Sequence, residues 1–249
     1  MNKEKLELFK EHFMGIDLIT LDDIRAYCCY GNPNINDVAV RKDIYNLKKN
    51  GIIISLKRGI YKIAFKPLFR PVPDSHIKRI HKLFTNMYPD LSYCIWSTQW
   101  LHQFMNLQPL KHFYVIETEK DILESVYFLL KENKINAFLK PDKNMAEKYM
   151  AESELPVIIK LMTSRSPVIQ LGGIKAPTLE KILIDVFSDS DVFFFYQGNE
   201  LWNIFNNALR YFLIDYSKLL NYADRRKQKN KIISYLKTNF ENVSNDLIL

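Results

Sequence analysis

One helix in the first quarter of the sequence constrains the fold more than any other feature. Asn36 has a side chain suited to capping a helix, and a helical pattern follows it as far as Asn50. Gly51 comes next, where the residue after a helix often adopts a left-handed conformation. At 100° per residue, the inward side of this helix carries Val40, Ile44 and Leu47. The outward side is cationic and polar, and it carries Arg41, Lys42, Tyr45 and Lys49.

A β-hairpin with a basic tip is predicted immediately after this helix. The β-branched runs 52–56 and 60–63 favour two strands, and Lys57-Arg58-Gly59 joins them. Gly59 supplies the positive φ that a tight turn requires. The helix and the hairpin together form one structural unit, in which the helix directly precedes the hairpin.

Two further helices are predicted upstream of the unit. Residues 3–14 show a short helical pattern, and Thr20 is placed to cap a helix that starts at Leu21. The turn-forming stretch 31–34 ends that second helix. The order of helix, helix, turn, helix and hairpin is typical of a winged helix-turn-helix, which the sequence predicts over residues 1–68.

Positive charge is concentrated in the same part of the chain. Residues 1–70 contain 13 Lys and Arg against 8 Asp and Glu, whereas residues 71–249 contain 22 against 20. This bias suits double-stranded DNA, because a helix fits the major groove and a basic hairpin reaches the phosphates. We expect Arg41, Lys42 and Tyr45 to approach base edges. Phosphate contacts are expected from Lys48, Lys49, Lys57 and Arg58, with Asn36 as the helix cap beside them.

Two other interpretations of this surface stay open from the sequence. A basic helix face can be merely solvated, and a winged helix can serve only to dock another protein. The helix cap, the glycine hairpin and the confined charge agree with one another, and they favour a DNA-binding transcription regulator over an enzyme.

A second unit is predicted over residues 74–249, after the stiff segment Arg70-Pro71-Val72-Pro73. Strand patterns occur near 92–96, 112–117, 135–139, 157–162 and 168–171. Helical patterns occur at 74–87, 98–105, 121–131, near 145–150, from Pro177 and from Asn199. The predicted fold class is α/β (α+β): an N-terminal winged helix-turn-helix, then an α/β domain with a helical C-terminal end.

Two stretches carry a resemblance to a known family. The stretch from Val40 to Ile53, with Lys57-Arg58-Gly59-Ile60-Tyr61, resembles the N-terminal winged helix of AbiEi-like antitoxins. The stretch from Pro177 to Asp185 is similar to the Pro-x-x-Glu-Lys/Arg-x-Leu-x-Asp segment of their C-terminal domain. Within it, we expect Glu180, Lys181 and Asp185 to pair on a helix surface.

The resemblance implies a type IV toxin–antitoxin system of the abortive-infection kind. The protein would bind an operator, repress its own operon and counter a nucleotidyltransferase-like toxin. Direct contact between antitoxin and toxin is not required in such a system. These expectations come from the resemblance and not from composition or spacing.

A second basic segment lies near the C-terminal end. It contains Arg225, Arg226, Lys227, Lys229 and Lys231. The segment is either a solvated helix face or a second contact surface for DNA or an acidic partner.

One pattern offers an enzymatic alternative. Gly172-Gly173 followed by Asp189-Ser190-Asp191 resembles the signature of nucleotidyltransferases, whose carboxylates hold Mg²⁺. The spacing is long for that signature, and Ser190 stands where an apolar residue is expected. No other catalytic residue, metal site or cofactor is expected, because the histidines lack ligand spacing.

The compartment is the last inference from the sequence. No apolar run approaches the ~20 residues of a membrane span, and the N-terminal residues lack the apolar stretch of a signal peptide. We expect a cytoplasmic protein without membrane contact.

Overall fold

Three helices and a three-stranded antiparallel sheet form the N-terminal part in a computed structural model, which describes residues 3–31, 35–63, 66–145 and 152–240. In chain order these elements are α1 (Lys3–His12), β1 (Leu18–Thr20), α2 (Leu21–Gly31), α3 (Asp37–Lys49), β2 (Ile53–Lys57) and β3 (Ile60–Ile63). The sheet order is β1-β3-β2. The helix and hairpin predicted around Gly51 are present to within one residue, whereas β1 was not predicted because three residues show no alternation.

The local signals that position α2 and α3 act as the sequence indicated. Asn36 Oδ1 accepts a hydrogen bond from the Ala39 N–H at 2.9 Å and caps α3. Thr20 Oγ1 accepts from the Asp23 N–H at 3.2 Å, and Asp23 Oδ2 accepts from the Thr20 N–H at 2.7 Å. This reciprocal pair fixes the start of α2. Of the turn predicted at 31–34, only Gly31 belongs to the described residues, and residues 32–34 lie outside them.

A mixed sheet forms the centre of the remaining chain. Its strands are β4 (Tyr93–Ser97), β5 (Tyr114–Thr118), β6 (Ala137–Leu139) and β7 (Val157–Leu161), in the order β4-β5-β7-β6. The β4–β5 pair is antiparallel and the other two pairs are parallel. A separate hairpin consists of β8 (Val168–Leu171) and β9 (Ile174–Pro177). The fold is therefore of the mixed α/β class that the sequence predicted.

Helices surround this sheet and complete the C-terminal end. They are α4 (Ser75–Met87), α5 (Leu123–Glu132), α6 (Lys143–Met145), α7 (Leu179–Ser188), α8 (Asn199–Tyr211), α9 (Tyr216–Arg225) and α10 (Lys229–Asn239). Short 3₁₀ helices occur at Thr98–Phe104, Lys120–Ile122 and Phe194–Tyr196. Within the described ranges, no helix is both long and apolar enough to cross a bilayer.

Several predicted elements differ in detail. The helix expected at 98–105 is a 3₁₀ helix, and Pro177 closes β9 instead of opening α7. The aromatic run at 192–196 forms no strand, because the N–H groups of Val192 and Phe193 donate to the Asp189 carbonyl and start a tight turn. The helix expected near 145–150 lies, apart from its first residue, outside the described residues.

The strand β2 lies between two hydrophobic cores. Ile53 belongs to the small core of the N-terminal part, while Ile54 belongs to the large core around the mixed sheet. Leu56 also packs against the large core. Ser217 Oγ, on α9, donates a hydrogen bond to the Ser55 carbonyl at 3.1 Å. Because side chains alternate along a strand, β2 serves both cores with its two faces.

Candidate nucleic-acid interface

The outward side of α3 is an exposed surface of mixed cationic and apolar character. Val40, Ile44 and Leu47 are buried, as the sequence predicted. Arg41 and Lys42 are exposed, and neither forms an ion pair with another described residue. The α3 surface, defined as Val38, Arg41, Lys42, Tyr45 and Lys49, thus presents charge that no described carboxylate neutralises.

Two large side chains on the α3 surface are exposed without a packing reason. Val38 is 73% exposed and Tyr45 is 62% exposed. Sequence reasoning identified Tyr45 but missed Val38, although Val38 falls on the same side of the helical wheel as Lys42 and Lys49. The Val38 and Tyr45 side chains lie among cations that have no ion-pair partner among the described residues. Such a mixture suits a contact surface, because apolar and phenolic groups can contact base edges in a DNA groove.

The lysines near the end of α3 have different surroundings. Lys48 is half-buried, and its Nζ lies 5.2 Å from the centroid of the Tyr61 ring. Lys49 is exposed, and its carbonyl accepts a hydrogen bond from Arg70 at 3.3 Å. Lys49 is therefore free to reach a phosphate, whereas Lys48 is held against an aromatic face.

The hairpin tip is short and tied to α2. Gly59 has φ +79°, as a tight turn requires, and its carbonyl accepts a hydrogen bond from the Leu21 N–H at 2.8 Å. Arg58 is exposed at the tip. The side chain of Lys57 lies outside the described part of the structure.

The second basic segment does not form one continuous surface. Arg225, Lys227 and Lys231 are exposed, and Lys229 is half-buried at the start of α10. Arg226 was expected on this surface, but it turns inward, with Nη2 bonded to Asp189 Oδ1 and Nη1 3.8 Å from Asp185 Oδ1. Its guanidinium compensates the half-buried Asp189 and the buried Asp185 and is not available to a partner.

Arg226 lies beside a buried ion network that joins three elements of the large core. Lys181 Nζ, on α7, donates to both carboxylate oxygens of Glu117 on β5, at 2.7 and 2.8 Å. It also contacts Asp185 Oδ2 and donates to Tyr222 Oη on α9 at 3.0 Å. Tyr222 Oη in turn donates to Asp185 Oδ1 at 2.7 Å. Every member of this cluster is at most 2% exposed.

The expectation that Lys181 and Asp185 pair on a helix surface was therefore wrong. The two residues do pair, but α7 is enclosed on all sides and both are buried. Glu180 is buried as well, and its Oε1 accepts a hydrogen bond from the Asp215 N–H at 3.0 Å. The Pro-to-Asp stretch thus fastens α7 to the sheet and to α9.

Burial and charge act in opposite directions on the pKa values of this network. Burial alone would raise the pKa of Asp185, but the charges of Lys181, Lys160 and Arg226 lower it to about 2. Burial raises the pKa of Glu117, and the attraction of Lys181 offsets only part of that rise. The pKa of Lys181 lies well above its usual range, because Asp185 and Glu117 outweigh the effect of burial. Glu117 is therefore the first carboxylate of the network to take up a proton in acid.

The acidic pair of the enzymatic alternative does not lie together in a free cleft. Asp189 ends α7 and is bonded by Lys160 and Arg226, while Asp191 is exposed in the following turn. Gly172 and Gly173 form the turn of the β8–β9 hairpin. Among the described residues, no three His, Cys, Asp or Glu side chains gather as metal ligands would.

Comparison with known proteins gives one family. Residues 39–242 match a family described as "Family of unknown function (DUF6577)". The chain belongs to this family. No curated protein matches the sequence. The DUF6577 match contains most of α3, the hairpin and the whole ion network, but it leaves out α1, β1 and α2.

Proposed function

We propose that this DUF6577 protein is a DNA-binding transcription regulator, in which residues 1–68 form a winged helix-turn-helix. The observation that carries the proposal is the α3 surface. It exposes Arg41 and Lys42 without ion-pair partners and leaves Val38 and Tyr45 uncovered between them. A solvated helix face has no need of exposed valine and tyrosine side chains, whereas a helix in the major groove uses such groups to contact bases.

The residues have different roles in this proposal. Arg41 and Lys42, in the first half of α3, and Tyr45, one turn after Arg41, read base edges. Lys49 and Arg58 contact phosphates and set the register of the protein on the duplex. Lys48 holds the end of α3 against Tyr61 and contributes less to DNA than the sequence suggested.

The regulator is proposed to be the antitoxin of a type IV system. It would bind an operator beside its own gene, repress that operon and counter a nucleotidyltransferase-like toxin, with or without direct contact. The resemblance of Val40–Ile53 and Pro177–Asp185 to AbiEi-like antitoxins supports this part. The buried network on α7 gives the second of these stretches a structural role within the protein.

The test is DNA binding by the full chain to the duplex upstream of its own gene, measured by fluorescence anisotropy over a salt series. We expect log K to fall by about 0.9 for each phosphate neutralised. Lys49→Ala with Arg58→Ala should weaken all duplexes alike and flatten the salt dependence. Arg41→Ala should instead reduce the preference for the upstream duplex over a scrambled one.

The matched control is Lys82→Ala, which removes an exposed charge from α4, a helix that contributes no residue to the α3 surface. It should leave affinity and salt dependence unchanged. If the full chain retains no DNA even at low salt, the protein-docking alternative replaces the regulator. If Lys82→Ala weakens binding as much as Lys49→Ala with Arg58→Ala, the assignment to α3 and the hairpin fails.

A further inference from the structure

A cavity of about 510 Å³ lies between the end of α3 and the start of α7. Tyr45, Lys48 and Lys49 line it from α3, and Thr178, Leu179 and Glu180 line it from α7. Its volume falls within the range of small-molecule sites. The cavity is separate from the buried ion network, of which it contains no member.

The charges that line the cavity favour an anion. Lys48, Lys49, Arg70 and Lys218 are among the lining residues, and Glu180 is the one carboxylate among them. That carboxylate is already engaged, because it accepts from the Asp215 N–H at 3.0 Å and lies 3.7 Å from Lys218 Nζ. The cavity therefore has an excess of positive charge that the described residues do not neutralise.

The start of α7 adds hydrogen-bond donors to the same wall. Thr178 is the N-cap residue of α7, but its side chain makes no capping hydrogen bond. The first N–H groups of a helix have no partner within the helix, and the helix dipole makes this end attractive to anions. The cavity thus meets the uncapped end of a ten-residue helix.

Thr178 itself gives independent evidence of a missing partner. The residue is only 7% exposed, it lines the cavity, and its Oγ1 has no hydrogen-bond partner among the described residues. Buried hydroxyl groups almost always have a partner, since leaving one without costs free energy. A ligand in the cavity would supply it.

The rest of the wall is apolar except for Gln170. Its apolar residues are Leu68, Phe69, Ile169, Leu171, Leu179 and Leu213. A ligand that satisfied only the charges would leave this surface in contact with water. An alkyl segment attached to the anionic group would cover it.

We propose that this cavity binds a small anion with an alkyl segment, either an alkyl carboxylate or an alkyl phosphate. The anionic group lies beside Thr178 and the start of α7, and the alkyl segment lies along Leu171 and Leu213. Lys49 belongs both to the cavity and to the α3 surface. If the proposed DNA binding holds, an occupied cavity draws Lys49 away from phosphate and weakens DNA binding.

The test is isothermal titration of the full chain with octanoate and with octyl phosphate, and with octylamine and 1-octanol as probes of opposite or no charge. We expect saturable binding of one molecule of at least one anionic probe and no binding of the other two. Thr178→Val, which replaces the hydroxyl by a methyl group, should weaken binding of the anionic probe at least fivefold. Leu171→Trp, which fills the apolar part of the cavity, should abolish binding.

Lys82→Ala is the control and should bind the anionic probe as the unaltered protein does. The site is refuted if neither anion binds, if octylamine binds as well as octanoate, or if Thr178→Val binds unchanged. DNA affinity is measured separately with and without the bound probe. Probe binding without any change in DNA affinity refutes the link to α3 and leaves the cavity site standing, so the two failures can be told apart.

Discussion

Replacing Lys181 by methionine should destabilise the protein strongly at neutral pH. Methionine retains most of the volume of the lysine side chain, so the change removes chiefly the charge and three donated hydrogens. Glu117 and Asp185, at 1% exposure each, would lose the ammonium group that contacts both. Removing one partner of a buried ion pair costs about 3–5 kcal/mol, because the remaining charge has neither a partner nor water.

The pKa of Asp185 gives a second measure of the same loss. Its pKa is lowered from 3.8 to about 2, so the ionised side chain stabilises the folded state by about 2 kcal/mol above pH 4. A carboxylate with a lowered pKa loses this contribution as pH falls from about 4 towards 2. Lys181 is the largest of the attractive charges that lower it. Lys160 and Arg226 also lower this pKa, so Asp185 keeps part of its stabilisation without Lys181, whereas Glu117 loses the ammonium group that offsets its burial.

The assay is urea unfolding of the unaltered protein and of Lys181→Met at pH 7.5 and pH 5. We expect a loss of about 3–5 kcal/mol at pH 7.5. The loss should be smaller at pH 5, because carboxyl groups left without Lys181 have raised pKa values and take up protons. Adding Glu117→Gln to Lys181→Met should recover part of the stability at pH 7.5.

Lys82→Met serves as the surface control and should change the free energy of unfolding by less than about 0.5 kcal/mol. A loss of less than about 1 kcal/mol for Lys181→Met at pH 7.5 would contradict the stabilising role of the Lys181 charge. A loss that is equal at the two pH values would contradict it as well, since the cost would then come from packing and not from charge.

Three further substitutions test local features of the fold, each by urea unfolding of the full chain. Thr20→Ala removes the acceptor of the Asp23 N–H at the start of α2 and should cost about 1 kcal/mol. Gly51→Ala places a side chain at φ +71° with its Cβ 2.9 Å from Leu68 Cγ, and should cost about 1–2 kcal/mol or more. Thr178→Val removes a hydroxyl that makes neither a cap nor any described hydrogen bond, so stability should stay unchanged or rise by up to about 1 kcal/mol. A loss above about 1 kcal/mol for Thr178→Val would mean that the hydroxyl has a stabilising partner.

The N-terminal part could be predicted closely because its signals are local. Asn36, Gly51 and Gly59 each fix a helix end or a turn within a few residues of themselves, and the spacing of Val40, Ile44 and Leu47 defines the inward side of α3. The strand β1 was missed because it is only three residues long and is defined by its pairing with β3, which is distant in the sequence. The outward side of α3 was also predicted correctly, apart from Val38.

The ion network could not be assembled from the sequence, since its members come from β5, α7 and α9. The helical wheel of α7 places Lys181, Asp185 and Ser188 together on a polar side, which is typical of a solvated helix surface. In the fold this polar side is covered as well, so its charged residues need partners in the core. Which partners they find, Glu117 and Tyr222, depends on the sheet order and on the packing of α9.

The position of β2 limits how this protein could have been built in evolution. Many DNA-binding modules are portable, since a single linker joins them to whatever follows. Here Ile54 and Leu56, on one face of an edge strand, pack against the large core of the C-terminal part. A fragment cut near residue 66 would expose them beside unpaired backbone, which favours aggregation. Exchange of either part for an unrelated module would therefore require a new partner for β2, so the two parts are expected to be inherited together.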